Sequence, residues 1–392
     1  MSAPQIPNLL GLRGGPRSRG SRGRGRGRGG GSELVTPSQQ RKDLDIQSTD
    51  TDAAVSRLSA VSLGYLDDPF ASYFVTGPGT RRLPIINRGT YTRTTALDIL
   101  INAFLAPHDA SHPESQSPPQ PKQIISLGAG TDTRYFRLRA QNRHQNLIYH
   151  EFDFPSVSTG KLRLVSSNET LANQDPAANL FVQPNKASAE TPESEWGFTR
   201  TAADGRSEVL YCCHPLDLRR LPYTPSLKSL GDIHGLRDDV PTLIISECCL
   251  CYLDVDNAQD VIKWFVDRIP SLGIILYEPI GVDDPFGQMM VANLAARNIT
   301  MPTVKVYKRL GDQKQRISDL GFKKTSADGG QEAEAVDRIW ENWITPQEKE
   351  RVDDLEGLDE VEEWQMLARH YAVVWGWKGS SGWENWKTFQ QK

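Results

Sequence analysis

Ile124-Ile125-Ser126-Leu127-Gly128-Ala129-Gly130-Thr131-Asp132-Thr133-Arg134 is the stretch on which the fold of this chain turns. The run from Ile124 to Leu127 is short and apolar, the pattern of a buried parallel strand. Two glycines one residue apart follow it. Without Cβ atoms they let the backbone turn sharply and come close to a ligand. Thr131 to Thr133 then open a helix whose free N–H groups face the same ligand. Strand, glycine loop and helix in this order read as a nucleotide site; the structural alternative is a tight turn in any α/β protein. Thr133 stands where the dinucleotide fingerprint has its third glycine, which weakens the fit to a pyrophosphate. A nucleoside cofactor without phosphates, such as S-adenosylmethionine, fits better.

Downstream, strands and helices alternate. The second strand, Leu147 to Phe152, ends in Glu151-Phe152-Asp153-Phe154-Pro155. Asp153 lies 25 positions after Gly128 (153 − 128). An acid at this place catches a ribose diol; the alternative is a helix N-cap, and the upstream loop favours ribose. A third strand, Val209 to Cys213, leads to Asp217 and Leu218. Asp217 can accept the adenine amine and the Leu218 N–H can meet a ring nitrogen, although a turn residue is the simpler reading of Asp217. The fourth strand, Pro241 to Ser246, runs into Glu247-Cys248-Cys249-Leu250-Cys251-Tyr252. Ligands of open α/β sheets sit beyond the carboxyl ends of strands, which places Glu247 and Tyr252 at the crevice. A helix from Asn257 to Ile269 and strands Gly273 to Glu278 and Tyr371 to Trp377 complete a doubly wound, mostly parallel α/β sheet. Asp284 to Ala296 and Lys308 to Leu320 read as helices, and Leu355, Leu358, Val361, Trp364 and Leu367 as one more apolar stripe.

Upstream, Val55, Leu58 and Val61 recur at helical spacing from Asp52 to Gly64, with Arg57 read as a solvated residue. Asn87-Arg88-Gly89 is expected to precede a second helix, Thr90 to Leu105, with the stripe Leu97, Leu100, Ile101 and Phe104. Arg93 falls on that stripe, and a guanidinium there needs an anionic partner. An internal salt bridge and a carboxylate clamp both satisfy it.

Residues 1–50 read as a disordered basic arm with an RGG-like repeat from Arg13 to Gly31. Residues 1–40 hold seven arginines and one acid, a charge of +6, so the rest of the chain must carry −10 to reach the net −4. An acidic body is a poor nucleic-acid binder, and the arm is either a weak RNA or anion binder or a solubilising tail. Residues 51–378 read as the catalytic domain, with polar insertions near 106–121, 168–205 and 225–240, and residues 379–392 as a loose tail. No apolar run is long enough to span a bilayer and no secretory signal is expected. The five cysteines sit in two tight clusters and read as reduced thiols in an intracellular core; the histidines are scattered and no metal is expected.

Taken together, these pieces resemble the leucine carboxyl methyltransferases. The resemblance rests on Val61-Ser62-Leu63-Gly64-Tyr65, Ile86-Asn87-Arg88-Gly89-Thr90-Tyr91-Thr92-Arg93, the Leu127–Arg134 loop, Asp153-Phe154-Pro155, Asp217-Leu218, Ile245 to Tyr252, Asp284 to Met290, and the region of Leu355, His370 and Tyr371. It covers about residues 53–377. It implies a class I S-adenosylmethionine-dependent methyltransferase fold with added N-terminal helices and a substrate-side lid. It implies S-adenosylmethionine bound by Arg57, Arg93, Gly128, Asp153, Asp217, Leu218 and Glu247. Where Arg57 stands the family commonly has lysine. The implied reaction is methylation of the C-terminal leucine carboxylate of the type-2A protein phosphatase catalytic subunit. Tyr252 is expected to orient that carboxylate. A carboxyl methyltransferase acting on a modified tRNA base, and an RNA-binding protein built on the arm, are the alternatives. A cytoplasmic monomer, with access to the nucleus, is the expected state.

Overall fold

The computed structural model describes residues 36–106, 120–143, 146–173, 175–184, 194–202, 204–323, 328–379 and 382–387. The strand before the glycine loop is β1, Lys122–Leu127, and it lies at the centre of the sheet. The other strands are β2 Leu147–Asp153, β3 Ala178–Pro184, β4 Ser194–Thr201, β5 Ser207–Pro215, β6 Thr242–Glu247, β7 Leu272–Pro279, β8 Gly329–Ala335 and β9 Tyr371–Lys378. They run in the order β3-β4-β5-β2-β1-β6-β7-β9-β8. The five from β5 to β7 are parallel, and β4 and β9 join antiparallel on either side.

The chain steps from β1 to β2 to β5 in one direction, then returns to β6 and β7 on the other side of β1. That reversal opens a crevice at the carboxyl ends of β1 and β6. Side chains alternate between two buried faces, as the period of a strand requires. Ile124, Ile275 and Tyr277 join one core, while Ile125, Leu127, Ile274 and Leu276 join the other.

Helices cover both faces. In chain order they are α1 Pro37–Ser62, α2 Pro84–Leu105, α3 Arg134–Ala140, α4 Pro155–Ser166, α5 Glu169–Ala172, α6 Val255–Val266, α7 Pro285–Ala295, α8 Leu310–Asp319, α9 Val336–Asn342, α10 Pro346–Asp353, α11 Val361–Arg369 and α12 Glu384–Lys387. The expected stripe Leu97, Leu100, Ile101 and Phe104 of α2 packs into the first core with Phe136, Val165 and Trp364. Val261, Phe265 and Ile317 of α6 and α8 fill the second. Among the described residues no helix is long and apolar enough to cross a membrane.

Several expectations are corrected. Residues 37–50, read as part of the disordered arm, are helical. Thr36 caps α1 by accepting from the Gln39 N–H, and Pro37 sits in the first turn. The RGG-like repeat lies outside the described residues, as does most of the 106–121 insertion. Asn87-Arg88-Gly89 lies inside α2 rather than before it. The 168–205 insertion is not a surface loop: β3 and β4 extend the sheet, and Trp196 and Phe198 are fully buried. The 225–240 segment buries Leu227, Leu230, Ile233, Leu236 and Val240. Of the tail, the described residues 382–387 are not loose either. Trp383 stacks on Phe104 at 5.0 Å, and the Trp386 Nε1–H donates to the Leu100 carbonyl at 2.9 Å.

Candidate active site

The glycine loop is held from three sides. Gly128 and Gly130 have φ of +64° and +50°, a region that favours glycine. A Cβ at Gly128 would overlie the Cys249 thiol, and one at Gly130 would overlie the Asp50 carboxylate. The glycines thus admit protein neighbours as well as a ligand. Asp50, on α1, accepts from the N–H and the hydroxyl of Thr131, each at 2.7 Å. Asp153, at the end of β2, accepts from the Gly130 N–H at 2.6 Å and from the Phe154 N–H at 2.7 Å. Phe154, not Asp153, is the N-cap of α4, so the capping alternative for Asp153 falls away. Burial pushes the Asp153 carboxyl up to about 7, against the pull of the Gly130 N–H and with a push from Asp50. Below the loop, the Lys161 ammonium donates to the Asp132 carbonyl at 2.8 Å and to Glu151 at 2.5 Å.

Two arginines enter from the added helices. Arg93 of α2 is nearly buried, with its Nε 2.7 Å from the Glu247 Oε1. The approach lies off the N–H direction, so neither atom completes a hydrogen bond. The Arg93 guanidinium also lies 5.3 Å from the centre of the Tyr277 ring. A second guanidinium, Arg134, reaches Glu247 at 3.2 Å. Both readings of Arg93 therefore have a counterpart, because the internal pair is made and the side chain also faces the crevice. Arg57, read as solvated, is buried beside Asp68 at 3.4 Å. Burial, then repulsion from Arg137, lowers its pKa.

Arg57, Arg93, Gly128, Asp153, Asp217, Leu218, Glu247 and Tyr252 all line one cleft of about 1220 Å³, its mouth included. Every site residue singled out from the sequence is in it. Asp217 also caps a two-turn 3₁₀ helix, Leu218–Tyr223, by accepting from the Arg219 N–H at 3.0 Å, so its turn role is real as well. The Tyr252 hydroxyl is buried without a completed hydrogen bond, with Thr49 beside it, and burial raises its pKa. Tyr252 is thus a neutral phenol in the cleft wall.

What the sequence reading missed is the front wall. Ile46, Gln47, Thr49 and Asp50 of α1 line the cleft, as does Arg219. Arg219 bridges Asp217 at 2.6 Å and Asp43 of α1 at 2.8 Å. Ser156 of α4 donates to Gln47 at 2.8 Å. Thr36-Pro37 was the one local sign that a helix begins there.

The cleft offers an elongated ligand two arginines and an acid at one end, a carboxylate in the middle, and a backbone edge beside Asp217 at the other. A family model described as leucine carboxyl methyltransferase matches residues 45–266. Three fungal proteins named leucine carboxyl methyltransferase 1 are similar along most of their length. The one from Emericella nidulans is 44% identical over 98% of this chain and 97% of its own. That from Aspergillus fumigatus is 44% identical over 97% and 96%, and that from Yarrowia lipolytica 36% over 86% and 97%.

Proposed function

The chain belongs to the leucine carboxyl methyltransferase family, and on that premise we propose that it esterifies the C-terminal leucine α-carboxylate of the type-2A protein phosphatase catalytic subunit. The family's methyl donor is S-adenosylmethionine, which when bound supplies a methyl group on a positively charged sulfur.

The residues present fit that donor. The Arg93 guanidinium and the Glu247 carboxylate lie side by side on the cleft wall, a pair suited to the carboxylate and ammonium of an amino acid. Glycine at 128 makes room for the Cys249 thiol and keeps the loop backbone on the wall of the cleft. Asp153 would take the ribose hydroxyls, and Asp217 with the Leu218 N–H would take adenine. Arg57 adds positive charge beside Arg93.

The acceptor needs little activation. A C-terminal carboxyl has a pKa of about 3.5, so it is ionised at neutral pH and requires no general base. The remaining task is to hold an oxygen in line with the methyl group and to exclude water. Tyr252 can donate to one carboxylate oxygen and leave the other free to attack. Ile46, Gln47, Thr49, Asp50, Ala53 and Ala54 of α1 form one wall of the cleft.

The observation that carries this reading is the convergence of all eight site residues on one cleft at the sheet's reversal point. The test is transfer of radiolabelled methyl to the purified phosphatase catalytic subunit. Label should appear as an alkali-labile ester released as methanol, and should vanish when the terminal leucine is removed. Equal labelling of the truncated subunit, or alkali-stable label, would refute the acceptor. A transcript-directed alternative would instead label tRNA.

A further inference from the structure

We propose that Asp68 is a positioning residue for the methyl donor: from behind the cleft wall, its carboxylate holds the Arg57 guanidinium in place at the donor's amino-acid end. The proposal deepens the reading of Arg57 as a donor-binding residue and rests on it. Asp68 lies in the connection between α1 and α2, is 2% exposed and is not part of the cleft wall, whereas Arg57 is.

The two oxygens of Asp68 divide the work. Oδ1 accepts from the Phe70 N–H at 3.1 Å, a local turn of the kind an aspartate makes with its own backbone. That contact alone would make Asp68 a turn residue. Oδ2 has no part in the turn and meets three other elements. The Arg57 Nη1–H of α1 donates to it at 3.4 Å. The Thr133 hydroxyl, at the end of the glycine loop, donates to it as well. The Arg137 Nε of α3 lies 3.8 Å away.

Thr133 shows how firmly the carboxylate is held. It is the N-cap of α3, where a threonine hydroxyl ordinarily accepts from one of the first helical N–H groups. Its side chain makes no such bond and donates to Asp68 instead. Phe70 and Phe74 of the same connection pack on Phe136 of α3, with ring centres 6.0 and 5.8 Å apart. Loop, helix and connection fix the carboxylate, and the carboxylate in turn fixes Arg57.

Arg57 needs that support. It is 7% exposed, and a guanidinium buried without an acid is strongly unfavourable. Burial and repulsion from Arg137 work against its charge, and Asp68 leads the groups that sustain it, ahead of Asp132 and Glu247. Those two acids are engaged elsewhere. Asp132 pairs with Arg134, and Glu247 with Arg93 at 2.7 Å and Arg134 at 3.2 Å. Asp98, a further acid of this group, holds Arg137 through contacts of 2.7 and 3.3 Å. The bond to Asp68 occupies one guanidinium nitrogen of Arg57 and leaves donor capacity for an incoming carboxylate.

The test is a double-mutant cycle on the full chain, read by calorimetry with S-adenosylhomocysteine, so the identity of the acceptor plays no part. Asp68→Asn keeps the size and the Oδ1 turn but removes the charge. It should raise Kd about tenfold in the wild-type background and less than about twofold in an Arg57→Ala background. A purely structural role would raise Kd by the same factor in both. Far-UV circular dichroism shows whether each variant folds. Should Asp68→Asn fail to fold, Thr133→Val decides, since it removes the hydroxyl that holds Oδ2 at a residue outside the cleft wall. It should raise Kd about threefold or more, again only when Arg57 is present. Equal factors in the two backgrounds overturn the proposal. So does an unchanged Kd for folded Asp68→Asn when Arg57→Ala is weakened. An unchanged Kd for Arg57→Ala itself would instead remove the reading of Arg57, and the proposal with it.

Discussion

Cofactor affinity should rise steeply between pH 6 and pH 8, and Asp153 is the reason. In the free protein its carboxyl is pushed up to about 7, mainly by burial. The ribose diol presents two hydroxyl donors, which favour the ionised form. An ordinary pKa near 3.9 in the complex means that only the ionised fraction of the free protein is ready to bind. That fraction is about 9% at pH 6 and about 91% at pH 8, so the apparent Kd should fall about tenfold over the interval. The sign for stability is opposite. A carboxyl whose folded pKa is raised contributes stability that is complete below its unfolded pKa of about 4 and is lost as pH rises through about 7. Affinity should therefore climb over the range where the free protein becomes less stable. The acceptor carboxylate is ionised throughout this window and contributes no slope. Of the other charged groups near Asp153, Asp50 has a raised pKa but spends its contacts on Thr131, and Lys161 is paired with Glu151. Calorimetry with S-adenosylhomocysteine at pH 6, 7 and 8 reads the effect. Asp153→Asn should bind weakly with a flat profile. A wild-type Kd that changes less than about twofold, or an Asp153→Asn variant that keeps the slope, would refute the reasoning.

Four further outcomes follow from the same geometry. Arg93→Ala should weaken cofactor binding by about 2–5 kcal/mol while far-UV circular dichroism stays native, because Arg134 still neutralises Glu247; unchanged affinity by calorimetry would remove the clamp. Tyr252→Phe should lower kcat/KM for the acceptor about tenfold or more with cofactor Kd unaltered, and equal steady-state kinetics would end its orienting role. Gly130→Ala drives a Cβ into Asp50 at a left-handed φ and should cost about 1–3 kcal/mol of stability and weaken cofactor binding, seen in melts and titrations. If neither moves, α1 does not close on the loop. Trp386→Ala should cost about 3–5 kcal/mol in urea unfolding, and a loss under about 1 kcal/mol would mean that the C-terminal turn is not docked.

The residues that line the cleft were readable from the chain because each sits at a strand end. A strand announces itself by its own apolar run, and the residue after it must fall at the crevice. Gly128 follows β1 directly, Asp153 and Glu247 are the last residues of β2 and β6, and Asp217 comes just after β5. Arg93 was readable for another local reason, a charge on an apolar stripe. Arg57 was placed on its helix but judged solvated, since the spacing shows no stripe that contains it. The front wall was not readable. Residues 37–50 carry almost no apolar periodicity, and α1 docks there through Asp50 to Thr131, 81 residues away, and Asp43 to Arg219, 176 residues away.

By itself the sequence determined the sheet's parallel core, the glycine loop and the set of groups that face a nucleoside. These depend on a residue's neighbours within a few positions, where backbone sterics and side-chain periodicity act. Tertiary structure alone decided that α1 closes the cleft, that the tail tryptophans join the core, and that His150 and His214 meet across strands. Those contacts join charges, rings and ring nitrogens far apart in the chain. Their partners exist only after the strand order has been set, and no local pattern records that order.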